Sequence, residues 1–125
     1  SLAWGIILPD PKCPTAPTEL AWNRSTGGCA INLAAAMGAK EIVLIGFDMK
    51  CGDSGHNWHS AYDSYYKSTG QDRMPCPDKN IYKSLLSRPF PKIAEGLNRA
   101  GIKCWNAGPD SELTEFPKLS LEELL

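Results

Sequence analysis

The chain has 125 residues and a mass of 13.6 kDa, the size of one domain that can bury a hydrophobic core. Its 13 basic and 14 acidic side chains give a net charge of -1, which excludes the overall basic excess expected of a nucleic-acid-binding protein. The 42% hydrophobic and 22% charged fractions exclude an intrinsically disordered chain. We therefore expect one domain over residues 1–125, without a membrane span, because no apolar run approaches roughly 18 residues.

The first predicted element is a β-strand over residues 4–8, a short apolar run that ends at a proline. This run has no basic region before it and no small-residue cleavage pattern after it, so we do not interpret it as a signal peptide. Because the chain also begins without an initiator Met, we expect it to be a piece of a longer protein. A stiff, proline-bearing loop follows over residues 9–17.

Residues 23–48 form the clearest structural unit of the sequence. The polar residues 23–28 predict a loop in which Ser25 or Thr26 caps a helix. Apolar side chains at helical spacing predict that helix over residues 29–37, and a glycine at position 38 ends it. The continuous apolar run at 42–47, which is rich in β-branched residues, predicts a strand that is buried on both faces, as in a parallel sheet.

A second helix–strand unit lies near the end of the chain. Its pattern predicts a helix over residues 91–100, a strand over residues 102–106 and one closing helical turn capped by Ser120. The two units are separated by residues 49–80, which show no clear period and are predicted to form a long irregular loop insertion.

The order of these elements predicts an α/β domain with a small, mostly parallel sheet. Three short strands make a thin sheet, so we expect a truncated version of a larger domain. A thin sheet also leaves apolar surface exposed, which predicts association into a homodimer.

The cysteines indicate a reducing compartment. Their odd number and their lack of framework spacing do not fit a secreted disulfide scaffold. We therefore predict free thiols and a cytoplasmic location for the five cysteines, Cys13, Cys29, Cys51, Cys76 and Cys104. We interpret Cys29 and Cys104, which fall within predicted apolar elements, as small apolar side chains.

A candidate anion site lies where the 23–28 loop meets the first helix. Backbone N–H groups and the helix dipole attract a phosphate or carboxylate there, and glycine lets it approach the backbone. An acidic side chain directly after the 42–47 strand would lie at the same sheet edge, where it could accept hydrogen bonds from a ribose. The candidate ligand-binding residues are Ser25, Thr26, Gly27, Gly28 and Asp48. In the alternative interpretation, Thr26 and Asp48 only cap their local turns.

The two histidines of the long loop are candidate catalytic residues. A histidine titrates near neutrality and can take the proton of an acceptor hydroxyl. We favour His59 over His56, because it adjoins a tryptophan and leads into a tyrosine cluster. The alternative is a loop histidine that only makes local hydrogen bonds.

A structural zinc site is a further alternative for this loop. Two cysteines and two histidines have the composition of such a site, but the spacing of Cys51, His56, His59 and Cys76 matches no familiar zinc finger.

The segment 25–48 resembles a known family. Its Ser-Thr-Gly-Gly turn, alanine-rich helix and Gly-Ala-Lys-Glu-Ile-Val-Leu-Ile-Gly-Phe-Asp strand are similar to a segment of the Campylobacter-type bacterial sialyltransferases and of the related DUF115 group. Residues 106–123 resemble the C-terminal segment of the DUF115 and phage-encoded members.

This resemblance implies a Rossmann-like three-layer sandwich that binds a nucleotide or nucleotide sugar. By analogy, Thr26 and Gly27 approach the donor phosphate, and Asp48 lies at the donor pocket. The resemblance further implies a glycosyltransferase-like activity and a phage or prophage origin within a bacterial cytoplasm. A non-catalytic phage-related binding or assembly module that retains the fold is the alternative.

Overall fold

The computed structural model describes residues 3–12, 19–49 and 86–124. In chain order its elements are α1 (Thr26–Ala36), β1 (Glu41–Leu44), α2 (Phe90–Arg99), β2 (Lys103–Asn106) and the short α3 (Leu121–Leu124). This alternation of helices with parallel strands confirms an α/β fold with a small parallel sheet. All but the first residue of the predicted 49–80 insertion lies outside the described residues.

The described sheet consists of two parallel strands, with Glu41 of β1 opposite Lys103 of β2 and Leu44 opposite Asn106. One face, which includes Leu44 and Cys104, packs on α2, whereas the other face carries Glu41, whose carboxylate accepts a 2.6 Å hydrogen bond from Trp105 Nε1. The predicted strand over 42–47, buried on both faces, is therefore wrong in extent and in burial. The strand ends before Ile45, which is 66% exposed, and Gly46 then turns the chain with a φ of +81°.

The hydrophobic core lies between α2 and the sheet. Phe90, Ile93 and Leu97 recur at helical spacing on α2 and are all at most 1% exposed. They pack with residues of α1, the two strands and the C-terminal segment, namely Ile31, Ala35, Leu44, Ile102, Cys104, Leu113 and Phe116. Helix α2 ends just before Gly101, which has a φ of +71°, and the next amide, that of Ile102, bonds back to Leu97 O at 2.9 Å.

Residues 3–8 do not form the predicted third strand in the described structure. Two asparagine side chains bond their backbone instead. Asn32 Oδ1 accepts from the N–H of Ile7 at 3.1 Å, and Asn32 Nδ2 donates to the carbonyl of Ile7 at 2.7 Å. In the same way, Asn23 Oδ1 accepts from the N–H of Gly5 at 2.7 Å, and Asn23 Nδ2 donates to the carbonyl of Gly5 at 3.0 Å. These amides take the positions of a neighbouring strand. The segment also packs Ile6 against Gly96 of α2, where an added Cβ would lie 2.9 Å from Ile6 Cβ.

A third buried asparagine organises the C-terminal segment. Asn106 Nδ2 donates to Ser111 Oγ at 3.0 Å and to Leu113 O at 3.2 Å, and its Oδ1 accepts from the N–H of Gly108 at 3.0 Å. Lys118 Nζ adds bonds to the carbonyls of Gly108 and Ser111 at 2.8 and 2.9 Å. Side-chain hydrogen bonds within the segment after β2 therefore hold its backbone in one conformation.

The last element, α3, has the cap that the sequence predicts. Ser120 Oγ accepts from the N–H of Glu123, and the Glu123 carboxylate accepts from the N–H of Ser120 at 3.0 Å. None of the helices in the described ranges has the length and apolar composition needed to cross a membrane.

Replacing Asn32 by alanine should destabilise the protein strongly. The change leaves three backbone groups without a partner, the N–H and C=O of Ile7 and the N–H of Ala21, at a side chain that is 0% exposed. We expect the free energy of unfolding in urea to fall by about 3–5 kcal/mol. Asn98→Ala, on the exposed side of α2, is the matched control and should change it by less than about 0.5 kcal/mol. Equal losses in both variants would contradict the bonding role of Asn32.

Cys104 should make stability fall at alkaline pH. Burial raises the pKa of its thiol from the ordinary 9.0 to about 12. The unfolded chain therefore loses this proton above about pH 9 while the folded chain keeps it, so the contribution is complete below pH 9 and decreases as the pH rises toward 12. Between about pH 8 and 10 we expect Cys104 alone to lower the unfolding free energy by about 1 kcal/mol. Urea titrations of Cys104→Ala should lack this part of the decline; an identical decline in both proteins would disprove it.

Candidate functional site at the N-terminus of α1

Helix α1 begins with a side-chain cap from Ser25. Ser25 has an extended backbone, with φ of -155° and ψ of 128°, and its Oγ accepts from the N–H of Gly28 at 3.3 Å. The carbonyl of Ser25 also accepts the first helical bond, from the N–H of Cys29 at 2.9 Å. Of the two caps that the sequence predicts, Ser25 is therefore the cap, and Thr26 is the first residue of the helix.

Two backbone donors at this end of α1 have no partner in the part of the chain that the structure describes. The N–H groups of Thr26 and Gly27 make no hydrogen bond with any residue of the described ranges, and the Thr26 side chain is exposed. The first turn contains no acidic side chain to offset the helix dipole. The predicted residues thus provide two unbonded donors and an uncompensated partial positive charge.

The two glycines at this turn have packing partners of their own. A Cβ on Gly27 would lie 2.7 Å from Phe47 Cε1, and one on Gly28 would lie 2.7 Å from Asn23 Cβ. Both positions therefore exclude a side chain because a neighbouring side chain already fills the space. These contacts explain why glycine stands at both positions, without a role for glycine in the approach of a ligand.

Phe47 joins the end of β1 to the start of α1. Its ring contacts Gly27 and packs edge-to-face on Phe90, with the ring centroids 6.3 Å apart. The C-terminal segment fixes this region from the other side, because Ser111 Oγ donates to the carbonyl of Phe47 and the N–H of Glu112 donates to the carbonyl of Asp48 at 2.9 Å. The structure thereby brings the 25–28 turn next to the end of the strand that precedes Asp48. The Asp48 side chain is exposed.

Two further side chains at this turn were missed by the sequence analysis. The Arg24 guanidinium lies 5.7 Å from the centre of the Trp22 ring, and both side chains are exposed. Asn23 and Arg24 have φ values of 54° and 49°, which are unusual for residues other than glycine. The sequence does show an aromatic residue, Trp22, three positions before the helix cap and a basic residue, Arg24, one position before it, and this pattern could have drawn attention to the turn.

The remaining candidate residues lie outside the described part of the chain. This applies to His59 and His56 and to the other members of the zinc alternative, Cys51 and Cys76. Within residues 3–12, 19–49 and 86–124, no cluster of His, Cys, Asp and Glu could hold a metal ion.

A shallow groove of about 400 Å³ lies elsewhere, beside the N-terminal half of β2. The residues that line it are Asn98, Gly101, Ile102, Lys103, Cys104, Trp105 and Pro117. Parallel strands have their carboxyl ends at one edge of the sheet, so the groove and the α1 turn belong to different parts of the molecule. The groove is therefore not part of the candidate site.

Comparison with known proteins gives no match: no family model fits the chain, and no curated protein or solved structure matches it. The resemblance to the sialyltransferase and DUF115 proteins therefore stays a prediction.

Gly27→Ala should destabilise the protein through Phe47. The added methyl group would lie 2.7 Å from the Phe47 ring, so we expect the urea unfolding free energy to fall by about 1–3 kcal/mol. In a Phe47→Ala background the clash is absent, and the same substitution should cost little or stabilise, because alanine is the better helix former. A stabilising effect of Gly27→Ala in the wild-type background would contradict the contact.

Proposed function

We propose that this chain is a nucleotide-binding, glycosyltransferase-like α/β domain that holds the phosphate of a nucleotide or nucleotide sugar at the N-terminus of α1. The observation that carries the proposal is a pair of N–H groups, those of Thr26 and Gly27, which have no hydrogen-bond partner among the described residues and lie at the end of an 11-residue helix. A phosphate at this position would accept both hydrogen bonds and meet the positive end of the helix dipole.

The surroundings of the turn support the same ligand class. The exposed Arg24, two residues before Thr26 in the sequence, adds a full positive charge to this turn. The Asp48 carboxylate follows the end of β1, where loops of α/β sheets hold their ligands, and would accept hydrogen bonds from ribose hydroxyls. The proposal includes the Rossmann-like three-layer sandwich in which such sites occur, of which the two-stranded sheet and its helices would be part.

Catalysis would use a histidine of the 49–80 segment, His59 in preference to His56. The acceptor oxygen would form the new glycosidic bond, and the nucleotide phosphate would leave with the electron pair of the broken bond. The histidine would take the proton of the acceptor hydroxyl. Following the same resemblance, we propose a phage or prophage origin and a bacterial cytoplasmic location.

A second candidate is a non-catalytic binding or assembly module. The observation that favours it is the outer side of α1, on which Leu33 is 40% and Met37 is 72% exposed without a charged neighbour on the helix. Such a surface would serve association with a protein and would have no role in the proposed sugar transfer.

Thr26→Asp should abolish nucleotide binding without weakening the fold. The wild-type protein is screened by thermal shift with CMP, CMP-sialic acid, UDP-sugars, GTP and ATP, and a ligand at about 100 times its Kd should add about 2.7 kcal/mol. The aspartate would repel the phosphate and occupy the free donors, but it should stabilise the apo helix by about 0.3–1 kcal/mol. Thr26→Asn, similar in size and uncharged, is the matched control and should keep at least part of the shift.

The outcomes separate the two candidates. If no nucleotide shifts the wild-type protein, nucleotide binding is wrong and the assembly module takes its place. If a nucleotide binds Thr26→Asp as well as wild type, the phosphate site lies elsewhere. With a binding nucleotide sugar in hand, His59→Ala should keep the thermal shift and lose sugar transfer, while His56→Ala should keep both.

A further inference from the structure

We draw no further inference here: the strongest candidate, the shallow groove beside β2 that Lys103 and Trp105 help to line, carries none, because nothing in the part of the chain that the structure describes shows what covers or occupies it.

Discussion

Three buried asparagine side chains hold the irregular segments of this protein in place. Asn23, Asn32 and Asn106 are each 0% exposed, and each amide bonds backbone groups of a segment that has no complete strand partner. An amide side chain has one carbonyl acceptor and one NH₂ donor, so it can replace a peptide group in a hydrogen-bonded ladder. In a fold whose described sheet has two strands, these side chains satisfy backbone groups that further strands would otherwise satisfy.

The geometry of the candidate site depends on the same side chains. Asn23 fixes the turn that leads into α1, and Asn106 orders the segment whose Ser111 and Glu112 bond the carbonyls of Phe47 and Asp48. Phe47 then rests on Gly27. The start of the first helix and the end of the first strand are thus held together by contacts from both ends of the described chain.

Local patterns in the sequence predicted the local structure well. The two main helices, the cores of both strands and the caps at Ser25 and Ser120 follow from apolar spacing and capping chemistry over a few residues. The prediction of a strand at 4–8 was wrong. A short apolar run indicates an extended backbone, but it does not indicate whether a neighbouring strand is present to pair with it. The asparagine partners were missed since Asn32 and Ile7 are 25 residues apart, and no local pattern carries such a pairing. For the same reason the contact of Gly27 with Phe47 could not be foreseen.

The buried asparagine amides also affect the chemical stability of this protein over time. Asparagine is chemically labile, because its amide hydrolyses to a carboxyl group over time and with heat. At Asn32 the product would lose the donor that bonds Ile7 O and would put a negative charge at a side chain with 0% exposure. Hydrolysis requires water and freedom of the local backbone, and the burial of Asn32 and its position inside α1 deny both. At Asn32 this change is therefore slow while α1 and residues 3–8 stay in place, and once it has occurred residues 3–8 lose a hydrogen-bond donor that holds them.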